Sequence, residues 1–255
     1  MGDLSSNNIV DLPSLKQACK SCSLHDLCLP IGIPEHDLSH LEHIVKPRRP
    51  LQRGEHLYRP GDNLASVYAV RAGSIKTYTL TDDGQEQVIG FHLPGEVLGL
   101  DAICDDVHPC AARALETTSV CELPFERLAE IAAEIPGLQH QLYRLMSRSL
   151  RSDEHFMTLL GKKASDQRLA AFLLGLSQRF SDRGYSRLEF NLSMSRSDIA
   201  NYLGLAVETV SRLFTRFQSA QIIDVNRKLV TIKDPAALEM LAGLHESEPA
   251  KSARP

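Results

Sequence analysis

The chain has 255 residues, 28 Lys and Arg against 32 Asp and Glu, a 43% hydrophobic fraction and six cysteines. That length suits one large domain or two of ordinary size, and the longest apolar run, Leu169 to Leu176, is far too short to cross a bilayer. The charge is unevenly spread: residues 162–234 hold 12 Lys and Arg with 7 Asp and Glu, a net +5, while the remainder holds 16 and 25, a net −9, as expected for a basic, anion-seeking module attached to an acidic one.

The opening MGDLSSNNIV lacks a basic stretch followed by an apolar one, so the expectation is a protein that is not exported, works in the cytoplasm and has no membrane partner. Residues 1–18 are polar. Next comes CKSCSLHDLC, with Cys19, Cys22 and Cys28 in a C-x2-C-x5-C run. In a reducing compartment such a cluster more often holds a metal or does redox work than forms disulfides. Spacing alone leaves an iron–sulfur cluster and a structural zinc both open. His25 reads as a solvated loop residue. Glu35 to Val45 reads as a short helix with Leu38, Leu41 and Val45 on one side.

From Leu51 to Pro124 short alternating runs, such as Ser66 to Val70 and Ser74 to Leu80, are separated by Pro-Gly-Asp, Ala-Gly, Asp-Asp-Gly and Pro-Gly turns. This predicts an antiparallel β-roll or jelly roll, with Cys104 and Cys110 as ordinary members. Beyond it Pro136 can open a long helix reaching about Lys162. Leu142, Met146, Ser149, Asp153, Phe156 and Leu160 follow steps of four and three on that helix. This heptad seam, with Leu150 beside it, predicts a homodimer contact. Two Asp153 carboxylates would approach each other there and weaken the pair.

The most specific signal is SMSRSDIANYLGLAVETVSRLFTRFQSAQII, Ser193 to Ile223. Ser195 can cap a helix, Gly204 supplies a tight turn, and a second helix starts near Ala206. That helix has an apolar stripe of Val207, Val210, Phe214 and Phe217 opposite a polar stripe of Glu208, Ser211, Arg212 and Thr215. Helix, turn and helix with this division of faces predicts a helix-turn-helix bound to double-stranded DNA. Arg212 suits guanine, Glu208 cytosine, and Ser211 and Thr209 base edges or phosphate. Ile222 to Ile232 reads as a hairpin wing. Arg196, Arg216, Arg227 and Lys228 are candidate phosphate contacts. No nucleophile elbow, phosphate loop, dinucleotide fingerprint or metalloprotease helix occurs, so no enzyme is expected.

A β-roll, a long helix and a terminal helix-turn-helix carrying VETVSRLFTRF resemble the cyclic-AMP receptor protein (CRP/FNR) superfamily of bacterial transcription regulators. Within it, CKSCSLHDLC and the stretch Thr118 to Glu126, with Cys121 before Leu-Pro-Phe-Glu, resemble the oxygen-sensing FNR and Anr branch. The resemblance implies an α+β fold organised as a cysteine-rich segment (1–30), a cyclic-nucleotide-binding-like β-roll (31–135), a dimerisation helix (136–162), a winged helix-turn-helix (163–243) and a disordered tail (244–255). It nominates Cys121 as the fourth ligand of a [4Fe–4S] cluster that oxygen degrades. It also implies palindromic TTGAT-like operators read by a dimer, and contact with RNA polymerase through the loop at Gly84, Thr117 and the Tyr185-Ser186 turn. Ala72 departs from the serine that one such surface can carry. Pro109 and Cys110 stand where cyclic-nucleotide-binding relatives carry an Arg-Ser pair, and proline offers a phosphate neither charge nor donor, which argues against a cyclic nucleotide. The alternative reading is a regulator of this type that senses another small ligand, cyclic nucleotide or haem, or carries a structural zinc.

Overall fold

The computed structural model describes residues 19, 22–31, 33–46 and 48–243; the polar opening and the expected tail at 244–255 lie outside the described residues. The chain divides into two compact units, one of residues up to 77 plus 91–146, the other of residues 78–90 plus those from 147 onward.

The first unit carries most of the β-roll, whose hairpin at residues 78–90 belongs to the second unit. Strands β1 (His56–Tyr58), β2 (Ser66–Ala72), β3 (Ile75–Leu80), β4 (Glu86–His92), β5 (Val97–Leu98), β6 (Ala111–Ala114) and β7 (Ser119–Pro124) form two sheets, ordered β1-β6-β3-β4 and β5-β2-β7. Leu51, Val70, Ile75, Leu98 and Val120 fill the roll with fully buried side chains, the inward half of each alternating strand. A second apolar cluster lies against the β5-β2-β7 sheet. There Val67, Ala69 and Leu123 meet helix α1 (Leu38–Ile44), helix α2 (Phe125–Glu134) and the first turns of helix α3 (Pro136–Lys162), with Leu41, Leu128 and Leu138 almost wholly excluded from solvent. The expected short and long helices are both present, α1 beginning three residues later than its pattern suggested.

The second unit continues α3 into helix α4 (Ser165–Ser181), strand β8 (Glu189–Asn191), helices α5 (Arg196–Leu203) and α6 (Val207–Ser219), strands β9 (Ile223–Asn226) and β10 (Leu229–Ile232), and helix α7 (Pro235–Leu241). Arg168 fastens three of these pieces: its guanidinium donates to the carbonyls of Lys163 at 2.9 Å, Leu203 at 3.1 Å and Leu160 at 2.6 Å. These close the otherwise unpaired carbonyl ends of α3 and α5. The tip of the β3–β4 hairpin belongs to the same unit. The Asn201 amide donates to the Glu86 carbonyl at 2.6 Å and accepts from the Val88 N–H at 2.5 Å, and Gln87 Nε2 donates to the Asn201 carbonyl at 3.0 Å. Beside it, the Tyr202 ring stacks on Phe156 of α3 with centroids 4.3 Å apart.

Candidate functional site

Two sites emerge. In the first, the cysteine loop is a succession of turns. The Cys22 N–H donates to the Cys19 carbonyl at 3.2 Å, the His25 N–H to the Cys22 carbonyl at 3.0 Å and the Cys28 N–H to the Leu24 carbonyl at 3.1 Å. The C-x2-C pair therefore spans one turn. Cys121 arrives from β7, directly opposite Ala69 on β2. All four cysteines line one small cavity, walled by Leu24, Leu41 and Leu123 and by Arg71. None of the four is joined in a disulfide. Burial pushes the Cys19 and Cys28 thiols up to about 12 and Cys121 to about 11, the Arg71 charge opposing the rise at Cys121. His25 also lines the cavity, with its Nδ1 3.3 Å from the Asp26 carboxylate.

Two contacts seat this loop. Gln141 of α3, fully buried, donates from Nε2 to the Cys28 carbonyl at 3.2 Å, so the ligand-bearing loop is bonded to the long helix. Leu27 presses against Gly95, which sits at φ +89°; a Cβ built there would meet Leu27 Cβ at 2.9 Å. Gly95→Ala should combine left-handed strain with displacement of the loop, costing about 1–3 kcal/mol. A lower melting temperature, with faster alkylation of Cys28, is the expected readout.

The donor set can be tested against what it could hold. Four thiols from two distant chain segments face one partly apolar space, the chemistry that cysteine-ligated clusters require. Among the described residues no group of three or more His, Cys, Asp or Glu is placed to hold a single metal ion. A zinc ion can take the same four thiolates, so the donor chemistry admits either group. Cys104 is exposed, and Cys110 is buried, donating to Asp101 at 3.2 Å. Beside Cys110 the roll is filled by its own side chains, the Tyr58 ring stacking on His108 with centroids 3.8 Å apart.

The second site is the α5–α6 pair. Ser195 Oγ accepts from the Asp198 N–H at 3.0 Å while the Asp198 carboxylate accepts from the Ser195 N–H at 3.0 Å, a capping box that starts α5. Gly204, at φ 62°, ends the helix in the left-handed region. On α6, Val210, Leu213, Phe214 and Phe217 are buried, and Glu208, Ser211, Arg212 and Thr215 face solvent. Val207 does not join the apolar stripe: it is 39% exposed, because it opens the first turn, and Leu213 takes the inward position. Thr209 is half-buried. The Ser211 hydroxyl donates to the Val207 carbonyl at 2.9 Å, which leaves its lone pairs facing outward as acceptors. The wing is present as β9 and β10, with Arg227 and Lys228 at its tip and β8 as a third strand that the alternation did not reveal.

Two of the candidate phosphate contacts also have partners within the chain. The Arg196 guanidinium lies 3.1 Å over the Phe214 ring centroid, and desolvation lowers it to about 10. Arg216 pairs with Asp166 at 2.7 Å. On α3, Leu142 packs on the first unit's cluster and Phe156 on Tyr202. Met146 and Leu160 are half-buried, and Ser149 and Asp153 are exposed. Tyr143, Leu150 and Met157, seven residues apart, stand well exposed.

Residues 167–241 match the Crp-like helix-turn-helix domain and residues 48–134 the cyclic nucleotide-binding domain. The chain is 56% identical over 225 residues to the transcriptional activator protein Anr of Pseudomonas protegens, covering 88% of this chain and 92% of that one. The chain belongs to the CRP/FNR superfamily. It is 48% identical to the fumarate and nitrate reduction regulatory protein of Escherichia coli K12, over 88% of this chain and 90% of that one. Among solved structures, FixK2 of Bradyrhizobium japonicum superposes with a TM-score of 0.70 at 32% identity, covering 75% of this chain and 94% of the other. This CRP/FNR member is thus a DNA-binding transcription regulator and not an enzyme, as its helix-turn-helix and its relatives establish. Among the described residues no helix is long and apolar enough to cross a membrane.

Proposed function

We propose that this regulator is an oxygen-responsive, cytoplasmic transcription factor. In this reading Cys19, Cys22, Cys28 and Cys121 hold a [4Fe–4S] cluster, and two copies pair through α3. The pair reads a palindromic TTGAT-type operator with α6 and engages RNA polymerase. The observation that carries it is the meeting of three loop cysteines and Cys121 at one cavity whose loop is bonded to α3 through Gln141. When bound, the cluster supplies a centre that oxygen destroys. The chain's own residues do the rest. The thiols must give up protons that burial makes them hold far above neutral pH, so loading is favoured as pH rises. Gln141 keeps the Cys28 carbonyl against the helix. Arg212, Glu208, Ser211 and Thr209 present donors and acceptors at the start of α6, the end that enters a major groove.

The cyclic-nucleotide alternative is less well supported, since Tyr58, His108 and Cys110 occupy the roll interior themselves. The test is anaerobic purification, with iron, sulfide and visible absorbance measured before and after air, beside operator affinity and size-exclusion elution. Colourless, iron-poor protein that binds the operator equally well in air refutes the reading.

Asp153 supplies a further check. Asp153 is exposed in the single chain, where partial desolvation by its neighbours raises its carboxyl, and a second copy would add like charge. Asp153→Ala should therefore elute as a dimer in air where the parent protein is monomeric. An air-monomeric variant would contradict the assigned repulsion.

A further inference from the structure

We propose that Arg71 is a positioning residue for the cysteine site: a cation at the cavity rim that balances the charge of the loaded site and secures its fourth ligand. The inference rests on the cluster reading and deepens it.

The placement follows from β2. Ala69 pairs directly with Cys121 and lies on the cavity side of the sheet. Arg71, two residues on, falls within the register irregularity between Val70 and Ala72, and it lines the cavity together with Ala69 and Val70. Arg71 and His25 are the basic members of the lining among the described residues, and His25 faces Asp26. Arg71 thus supplies the permanent positive charge.

The chemistry requires such a charge. Four thiolates outweigh the positive charge of the inorganic core they bind, so the loaded site is a net anion against a wall of leucines. An anion placed near apolar surface is stabilised by an adjacent cation, and more so where water is partly excluded. Arg71 lies two residues from Ala69, the ladder partner of Cys121, the ligand that comes from the sheet. Because the Arg71 side chain is largely exposed, replacing it leaves no cavity and no unpaired buried group.

The experiment compares wild type with Arg71→Met, Arg71→Lys and Arg71→Glu, all purified and loaded anaerobically. Iron release to an excess of an iron(II) chelator without oxygen should be about two- to fivefold faster in R71M, as suits an exposed charge interaction. It should be faster again in R71E and near wild type in R71K. The midpoint potential of the loaded protein should fall in the order R71K, R71M, R71E, since a lost cation disfavours the more negative redox state. Raising the salt concentration should narrow the differences. Equal release rates and potentials in R71M, R71E and wild type would overturn the proposal. So would equal loss in R71K and R71M, which would mark a steric role. Wild-type protein without iron and sulfide would instead defeat the cluster reading itself.

Discussion

Replacing Cys121 by serine should leave anaerobically prepared protein nearly free of iron, while its DNA-binding unit melts at the parent temperature. Cys121 differs from the loop cysteines in what holds it. Cys19, Cys22 and Cys28 sit on a run of turns fixed by local hydrogen bonds, whereas Cys121 is carried by β7 in a ladder with β2 that extends from Ser66 to Ala72. The sheet position is set by the fold, and the loop closes onto it. Serine keeps the shape and the ladder but offers a hydroxyl, a poor ligand for iron beside a thiolate. Loss of one ligand should weaken iron binding by on the order of tenfold or more. Iron and sulfide per chain and the visible absorbance measure it. A full complement of both in Cys121→Ser would remove this residue from the ligand set, and with it the link between loop and roll.

The second large effect belongs to Phe214→Ala. Its side chain is 2% exposed, and emptying such a position costs about 3–5 kcal/mol. Here the ring also carries the Arg196 guanidinium at 3.1 Å, and Nη1 of that arginine is buried without a hydrogen-bond partner among the described residues. A cation over a partly desolvated ring gains up to ~2 kcal/mol, so truncation both opens a cavity and strands a charge. Unfolding of the full chain in urea should show the DNA-binding unit destabilised by the larger of these amounts, with operator affinity lost in parallel. Phe214→Leu should cost roughly 1.5 kcal/mol or less. Operator binding and stability in Phe214→Ala within about 1 kcal/mol of the parent would mean that the ring neither fills the core nor holds Arg196.

What the sequence made legible was local. Ser195 and Gly204 announced both ends of α5 because caps and left-handed turns have short-range signatures. The polar face of α6 followed from its period. The first three cysteines declared themselves by spacing, whereas Cys121, nearly a hundred residues on, needed the family resemblance. What the sequence left unread shares one cause. The partners of Arg196 and Arg216 within the chain, Phe214 and Asp166, are brought in by tertiary structure. Val207 fits the apolar period yet sits on the exposed first turn. The heptad steps select Leu142 and Phe156, which find partners within their own chain, and pass over the exposed Tyr143 and Met157. Gln141, Arg71 and Asn201 are silent in one dimension: each matters through a neighbour more than 45 residues away.

The bond between Asn201 and the hairpin has a bearing on solubility. β4 closes one side of its sheet, and a terminal strand exposes a row of backbone groups that invites another chain to add on. The Asn201 amide offers Glu86 and Val88 one donor and one acceptor, as the peptide group of a neighbouring strand would. It caps that margin with a side chain. If α5 were to swing away, the margin would be bared, and the molecule would gain an adhesive edge at the moment it lost its grip on the helix.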